Sequence, residues 1–461
     1  MSPQPRPGVA SHRHPSPTAP IPAPAHLTAC RLLLAIGFVA LACPAVTMAD
    51  QEGDVEALRR EVQQLREEMR ELRGQREEAW MAESRRVEVR QIVADAMDDA
   101  AMRDTLDAGP AAGYRGGFFI GGREDDFHLR IGGVIKPRYT FSRMNNAPDD
   151  VDGSRGGFDM TCSRFSFAGH VFDPSWQYLF IVKINNQGNL VLLDSWVRKD
   201  LGGGFSVTGG QFKLPFNYEY LVSEVRQQMV DRSLVSQSMA LGYSHGVMGT
   251  YQRDALRLRL AFSDGARRMN TRWDSDNAEY AFTGRAEVKL AGGWGDYIHY
   301  VGFPGTDPTV VLGAAGHFQA SASGTAEPVE HNARWTVDAL AKGDRWSLFG
   351  AVLGSHTHRR GGGGSDQYGV VAQGGYFITE EVELIGRYEW GHINTDEPDL
   401  SVLSAGVNVF FNQHNLKWTT DVGYAFNGIG PTWASPGLGW RRDRAGERGQ
   451  VVVRTQFQLA F

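Results

Sequence analysis

Apolar and polar positions alternate with period two from Ala255 to Phe262, so Leu256, Leu258, Leu260 and Phe262 share one face of a strand and Arg257 and Arg259 the other. The same two-faced pattern closes the chain. Val451, Val453, Thr455, Phe457, Leu459 and Phe461 fall on one side, and Arg454, Gln456 and Gln458 on the other. One such segment fits a soluble antiparallel sheet with a single wet face. Its recurrence fits a wall between water and lipid. The pattern predicts sixteen strands, at 127–141, 163–172, 175–185, 190–199, 205–213, 246–252, 255–263, 279–290, 309–319, 333–341, 345–354, 368–376, 382–390, 401–411, 415–425 and 450–461.

The connections between these strands alternate in length. Asp173-Pro174, Leu201 to Gly204, Arg253-Asp254, Lys342 to Asp344, Thr379 to Glu381 and Asn412 to His414 are tight, whereas 142–162, 214–245, 264–278, 320–332, 355–367, 391–400 and 426–449 are long. Short inner turns and long outer loops mark a transmembrane barrel with both ends inside. Two connections break the rule: 185–189 is a short outer one and 291–308 a long inner one. The expected fold is all-β, a 16-stranded antiparallel transmembrane β-barrel over residues 111–461. Segment 214–245 joins the fifth and sixth strands, where a barrel folds a loop into its own mouth; an exposed surface loop is the alternative. Gly209-Gly210 ahead of it reads as a bulge, which leaves the face of Lys213 open.

Residues 1–49 read as a secretory signal, with an apolar run from Leu32 to Ala42 and cleavage after Ala49. The run is too short to span a membrane comfortably as a helix. Val55, Leu58, Val62, Leu65, Met69 and Leu72 then recur at alternating three- and four-residue spacing among Arg and Glu, the seam of a short α-helical coiled coil. A lone amphipathic helix on its own barrel is the alternative. The pattern weakens after Arg73 and ends at Asp107 to Pro110, so 50–110 reads as coiled coil and linker.

Composition narrows the classes. A mean hydropathy of -0.33 excludes a helical membrane bundle, but not a barrel, whose greasy and wet residues cancel in the average. Of three cysteines, Cys30 and Cys43 fall in the leader, so Cys162 leaves neither a disulfide framework nor a cysteine metal site. Residues 50–110 carry 17 acidic and 10 basic side chains and the leader 3 basic; subtracting from 53 and 47 leaves 36 acidic and 34 basic for the barrel. Any anion preference must then come from local placement.

Several stretches resemble the phosphate-selective porin O and P family: Gly209-Gly-Gln-Phe-Lys-Leu-Pro-Phe216, Met229-Val-Asp-Arg-Ser-Leu234 with Gly246-Val247-Met248, Gly375 to Tyr388, and Ala405 to Asn408 with Lys417. Asp231 stands where that family commonly has Glu. The resemblance implies a trimeric outer-membrane porin that passes small anions by diffusion, with an arginine ladder and a lysine-rich constriction selecting phosphate or polyphosphate. The implied partners are those anions, outer-membrane lipid and two further copies in a homotrimer; the coiled coil separately suggests contact with the cell wall. No cofactor, metal or nucleic acid is expected. A general porin, or a structural barrel whose coiled coil tethers the envelope, is the alternative.

A selective pore binds its ion strongly enough to admit it and weakly enough to release it, which rings of Arg or Lys provide for anions. Arginine suits phosphate because its planar fork donates two parallel hydrogen bonds. By parity the pore-facing candidates are Arg257 and Arg259, His128, Arg130, Lys136 and Arg138 on the first strand, and Arg285 and Lys289 on the eighth. An inward 214–245 loop adds Arg226, Asp231 and Arg232, with Lys213 at its root. Barrel walls also carry charge for solvation and Arg–Glu pairs for rigidity, and Glu287 could neutralise both Arg285 and Lys289. Enzyme readings fare poorly. Gly361 to Gly364 lacks the Gly-Lys-Ser/Thr of a phosphate-binding loop, and Ser244-His245 and His356-Thr-His358 have no acid at motif spacing.

Overall fold

The computed structural model describes residues 111–461 apart from 115–116, 123–125, 146–152, 186–187, 276–277, 322–328 and 444–448. The expected leader and coiled coil lie outside the described residues. A short hairpin, β1 (Ala111–Tyr114) and β2 (Phe118–Gly121), precedes the wall. The wall then runs β3 (Phe127–Met144), β4 (Ser154–Val171), β5 (Asp173–Ile184), β6 (Leu190–Gly202), β7 (Phe205–Lys213), β8 (Tyr243–Arg253), β9 (Leu256–Ser263) and β10 (Ala278–Ala291). It continues through β11 (Thr309–Ser321), β12 (Val329–Gly343), β13 (Trp346–Arg359), β14 (Gly364–Phe377), β15 (Val382–Ile393), β16 (Leu400–Asn412), β17 (Leu416–Ala425) and β18 (Gln450–Ala460). Each strand from β3 pairs antiparallel with the next, and β18 returns to β3 from Gln450↔Met144 to Ala460↔Val134, closing a barrel of sixteen strands.

All sixteen wall strands fall where the alternation places them. Several run further outward: β4 begins at Ser154 rather than 163, and β14 at Gly364 rather than 368. Above the lipid both faces of a strand are wet, so the alternation that marks a strand disappears before the strand does. The bulge expected at Gly209-Gly210 is absent. Pairing runs unbroken through Trp196↔Gly210 and Gly210↔Gly246. Gly210 instead takes φ +128 against the neighbouring backbone, where a Cβ would stand 2.2 Å from the Ser195 carbonyl oxygen.

On β9, Leu258, Leu260 and Phe262 are exposed on the outside while Ala261 and Ser263 are buried inside. The last strand follows the same rule, with Phe457 and Leu459 outward and Arg454, Gln456 and Gln458 buried. Phe461 lies across Gly133, where any Cβ would fall 2.2 Å from its ring, and meets Phe118 of the amino-terminal hairpin at 6.0 Å. The hairpin pairs with β3 at Phe118↔Ile131 to Gly121↔His128, just past the end of β18.

The barrel encloses a dry core, because three connections fold into it. From the β7–β8 connection, 214–242, come Phe216, Tyr218, Leu234, Val235 and Leu241, each nearly fully buried and worth about 1.5–3 kcal/mol. That burial rules out the exposed-loop alternative. The long inner connection, 292–308, enters from the other end. Tyr297 stacks on Tyr218 at 4.4 Å, Tyr300 meets Phe349 at 5.1 Å, and Phe303 meets Phe410 at 5.0 Å. From the outer connection after β17, Trp433 and Trp440 settle over Gly391 and Gly423, where added Cβ atoms would lie 2.5 and 2.6 Å from the indoles.

Candidate functional site

The inward segment is tied to the wall by charged and amide side chains. Asn217 caps a helical turn at Tyr218–Leu221 and Ser233 caps a second at Leu234–Met239, so the segment carries its own local structure. Asp421 accepts from the Val230 N–H at 3.1 Å and is held bidentate by Arg454 at 2.8 and 2.9 Å. Glu389 accepts from the Leu234 N–H, Lys417 donates to the Gln227 carbonyl at 2.6 Å, and Arg285 donates to the Phe216 carbonyl at 2.7 Å. Gln228 donates to Ser347 and Glu383, which lie on β13 and β15.

These anchors sit on one side of the barrel. Most inward side chains of β10 to β18 are buried, Glu287, Asp338, Lys342, Glu383, Asn408, Asp421 and Arg454 at 0–3% exposed. On β4 to β6 the inward Arg164, Ser166, Lys183 and Arg198 are only half-buried. The loop therefore leans on β10 to β18 and, through Lys136 and Arg138, on β3, and leaves a water-accessible space beside β4 to β6.

The sequence-derived candidates divide accordingly. Arg226 is half-buried on a 3-10 turn and lines a cavity of about 240 Å³ with Arg257, Arg259, Glu287, Tyr218 and Ser223. Arg130 is exposed on inward parity. Lys289 is half-buried, 5.6 Å from the Trp294 ring. The others hold structure. Lys213 donates to the Tyr220 carbonyl at 2.9 Å and packs against Tyr220 and Tyr243, which settles its place at the loop root. Arg232 donates to the Glu219 and Val222 carbonyls at 3.0 and 2.9 Å. Arg138 pairs with Asp231 and donates to the Gly437 carbonyl at 2.8 Å, and Lys136 reaches the Glu224 carbonyl at 3.4 Å. Arg285 grips Asp338 at 2.7 and 2.8 Å.

Arg257 and Arg259 face inward but share Glu287, Arg259 at 2.9 and 3.0 Å. Their side chains are 18% and 17% exposed. The acid that the alternation leaves between Arg285 and Lys289 thus answers Arg257, Arg259 and Arg285, and Lys289 is not among its partners. Glu287→Gln removes that charge: chloride conductance in low-salt bilayer recordings should rise, and the barrel should lose stability on the order of 3–5 kcal/mol from the broken buried pairs.

Sequence reasoning missed Arg164, Lys183 and Arg198. Arg164 donates to Ser223 Oγ at 2.9 Å, and Lys183 is its cross-strand partner. Both sit on inward parity in strands the sequence had already delimited, so the signal was present. Around them, burial pushes the Glu224 carboxyl up, but Lys136, Arg232, Lys183 and Arg164 together outweigh it and hold that acid well below the usual carboxylate range. Four cations surround one carboxylate. Burial, with Arg130 and Arg164 close by, lowers the Arg226 guanidinium.

At the inner end, burial and Lys342, 3.2 Å away, lower His299 to about 3. The unfolded chain binds that proton near pH 6.5, so the unfolded state gains protons first as pH falls. The contribution of His299 to stability is complete above about 6.5 and is lost progressively toward 3. Hydrogen exchange in 292–308, corrected for intrinsic rate, should rise over that window in the parent and much less in His299→Gln.

A closed sixteen-stranded barrel with a connection folded into its lumen defines an outer-membrane porin. The chain belongs to the phosphate-selective porin O and P family, whose model matches residues 135–400. Among solved structures, the anion-selective porin from Comamonas acidovorans aligns over 72% of this chain and 99% of its own, at 13% identity and a TM-score of 0.51. A Salmonella typhi OmpF complex with daunomycin aligns over 76% and 100%, at 13% identity and 0.50. At that identity the likeness is one of fold. Among curated proteins, none matches the chain in sequence. The family and the barrel together place the protein in the bacterial outer membrane.

Proposed function

We propose that the protein passes small anions, phosphate or polyphosphate among them, by passive diffusion along the β4 to β6 side of its lumen. One observation carries the reading: the water-accessible side presents Arg130, Arg164, Lys183 and Arg226, while Asp338, Glu383, Glu389 and Asp421 are buried behind the loop. Guanidinium groups at a narrowing attract an anion and share it among several donors, which speeds exit as well as entry. Arg257 and Arg259 contribute at the edge of this path, with their charge partly offset by Glu287.

Titrating phosphate into chloride during single-channel recording tests the substrate. Saturable block of the chloride current is expected; a current that merely scales with total ion concentration indicates a general pore. The same reading includes three barrels per particle, with residues 50–110 clamping the trimer or reaching the cell wall. Deleting 50–110 separates these roles: lost trimers with normal envelopes indicate a clamp, and leaky envelopes with intact conductance indicate a tether.

A further inference from the structure

Outside the lumen, three imidazoles crowd the outward face of the barrel near its extracellular rim. His356 and His358 stand two residues apart on β13, so both point outward, and His331 on β12 pairs directly across from His358. Further down β12 and β13 the same face presents exposed Trp335, four residues from His331, and, beyond it, Val337 and Val352, which marks it as the outer surface. The His331 ring lies 4.9 Å from that of His358 and 6.4 Å from that of His356. Beneath them Asn332 fixes the strand pair, donating to Ser355, Thr357 and the His356 carbonyl.

We propose that His331, His356 and His358 form a binding site for a divalent transition-metal cation, zinc first. Two histidines at i and i+2 on one strand, with a third across the ladder, put three imidazoles on one patch, from which rotation of the side chains brings a nitrogen of each to the reach zinc requires, about 2.0–2.1 Å. Neutral imidazole is the right donor for such a metal. Carboxylates stand where supporting partners are needed. Asp366 meets His356 Nδ1 at 2.5 Å, which leaves Nε2 for the metal, and Glu330 lies 3.5 Å from His358. The fourth position falls to Glu330 or water. As they stand the rings are stacked, and among the described residues no three such side chains already converge on a point. Side-chain rotation closes the set, and His356 and His358 are 57% and 40% exposed and so have room for it.

Calorimetric titration of zinc into the untagged full-length protein in detergent at neutral pH should give one saturable event per chain. His331→Ala, His356→Ala and His358→Ala should each weaken binding at least about tenfold, and Asp366→Asn roughly tenfold, whereas His392→Ala, outside the set, changes nothing. Conductance measured on the same variants shows that each is folded, and zinc should leave it unaltered because the site faces away from the lumen. Absence of saturable binding in the parent protein, or undiminished binding in the His356→Ala/His358→Ala double variant, overturns the proposal.

Discussion

Arg164→Glu combined with Arg226→Glu moves the zero-current potential across a salt gradient from the anion side to the cation side. One guanidinium is on β4 and the other on the inward loop, both half-buried, and burial, Arg130 and the nearby Arg164 together lower Arg226. Replacing both changes the local charge by four units where Glu224 is already a carboxylate ringed by cations. A tenfold gradient bounds the potential at about 59 mV on either side of zero for a monovalent ion, and a reversal of sign is expected within those bounds. The shift should shrink at high salt, since the screening length falls from about 10 Å at 0.1 M to 3 Å at 1 M. Arg164 bonds the loop at Ser223 Oγ, and Lys136, Arg232 and Lys183 remain around Glu224 after the exchange. A double variant that conducts with an unchanged potential removes these arginines from the path.

Asp421→Ala should have the largest effect on the fold. It leaves Arg454, 1% exposed, without its bidentate partner and with only the Asp231 carboxylate, 3.8 Å away, and frees the Val230 N–H that holds the loop to the wall. Breaking one partner of a buried pair costs about 3–5 kcal/mol. The thermal transition should fall, and single-channel conductance should become larger and noisier as the loop leaves β17. Asp421→Asn, which keeps an acceptor for Val230 but loses the charge, should fall between parent and alanine variant.

The wall was legible because lipid on one side and water on the other impose a period-two code on every strand, as Leu258 with Arg259 and Phe457 with Gln458 show. The place of 214–245 between the fifth and sixth strands singled it out as the inward loop; length alone did not, since 426–449 is also long and its inward Trp433 and Trp440 went unforeseen. What sequence parity cannot carry is which inward charges stay wet. Arg285 and Arg259 occupy equivalent inward positions on paired strands, yet one is locked to Asp338 and the other reaches the cavity. That difference depends on the side of the barrel the loop leans on, a contact between Asp421 and Val230 that are 191 residues apart. For the same reason the eye falls first on Arg257 and Arg259, beside their conspicuous leucines, and passes over Arg164 and Lys183. The inner connection 292–308 is a similar case: its length was visible, but not that Tyr297 and Tyr300 carry it into the core.

The side on which water passes can be read directly by thiol accessibility. In a Cys162→Ser background, cysteines placed singly at Arg164, Lys183 and Thr419 are exposed to a membrane-impermeant anionic methanethiosulfonate during recording. Current should fall stepwise on modification of Arg164→Cys and Lys183→Cys, while Thr419→Cys, 1% exposed beneath the loop, stays silent. Modification and block at position 419, with positions 164 and 183 unreactive, would contradict the account.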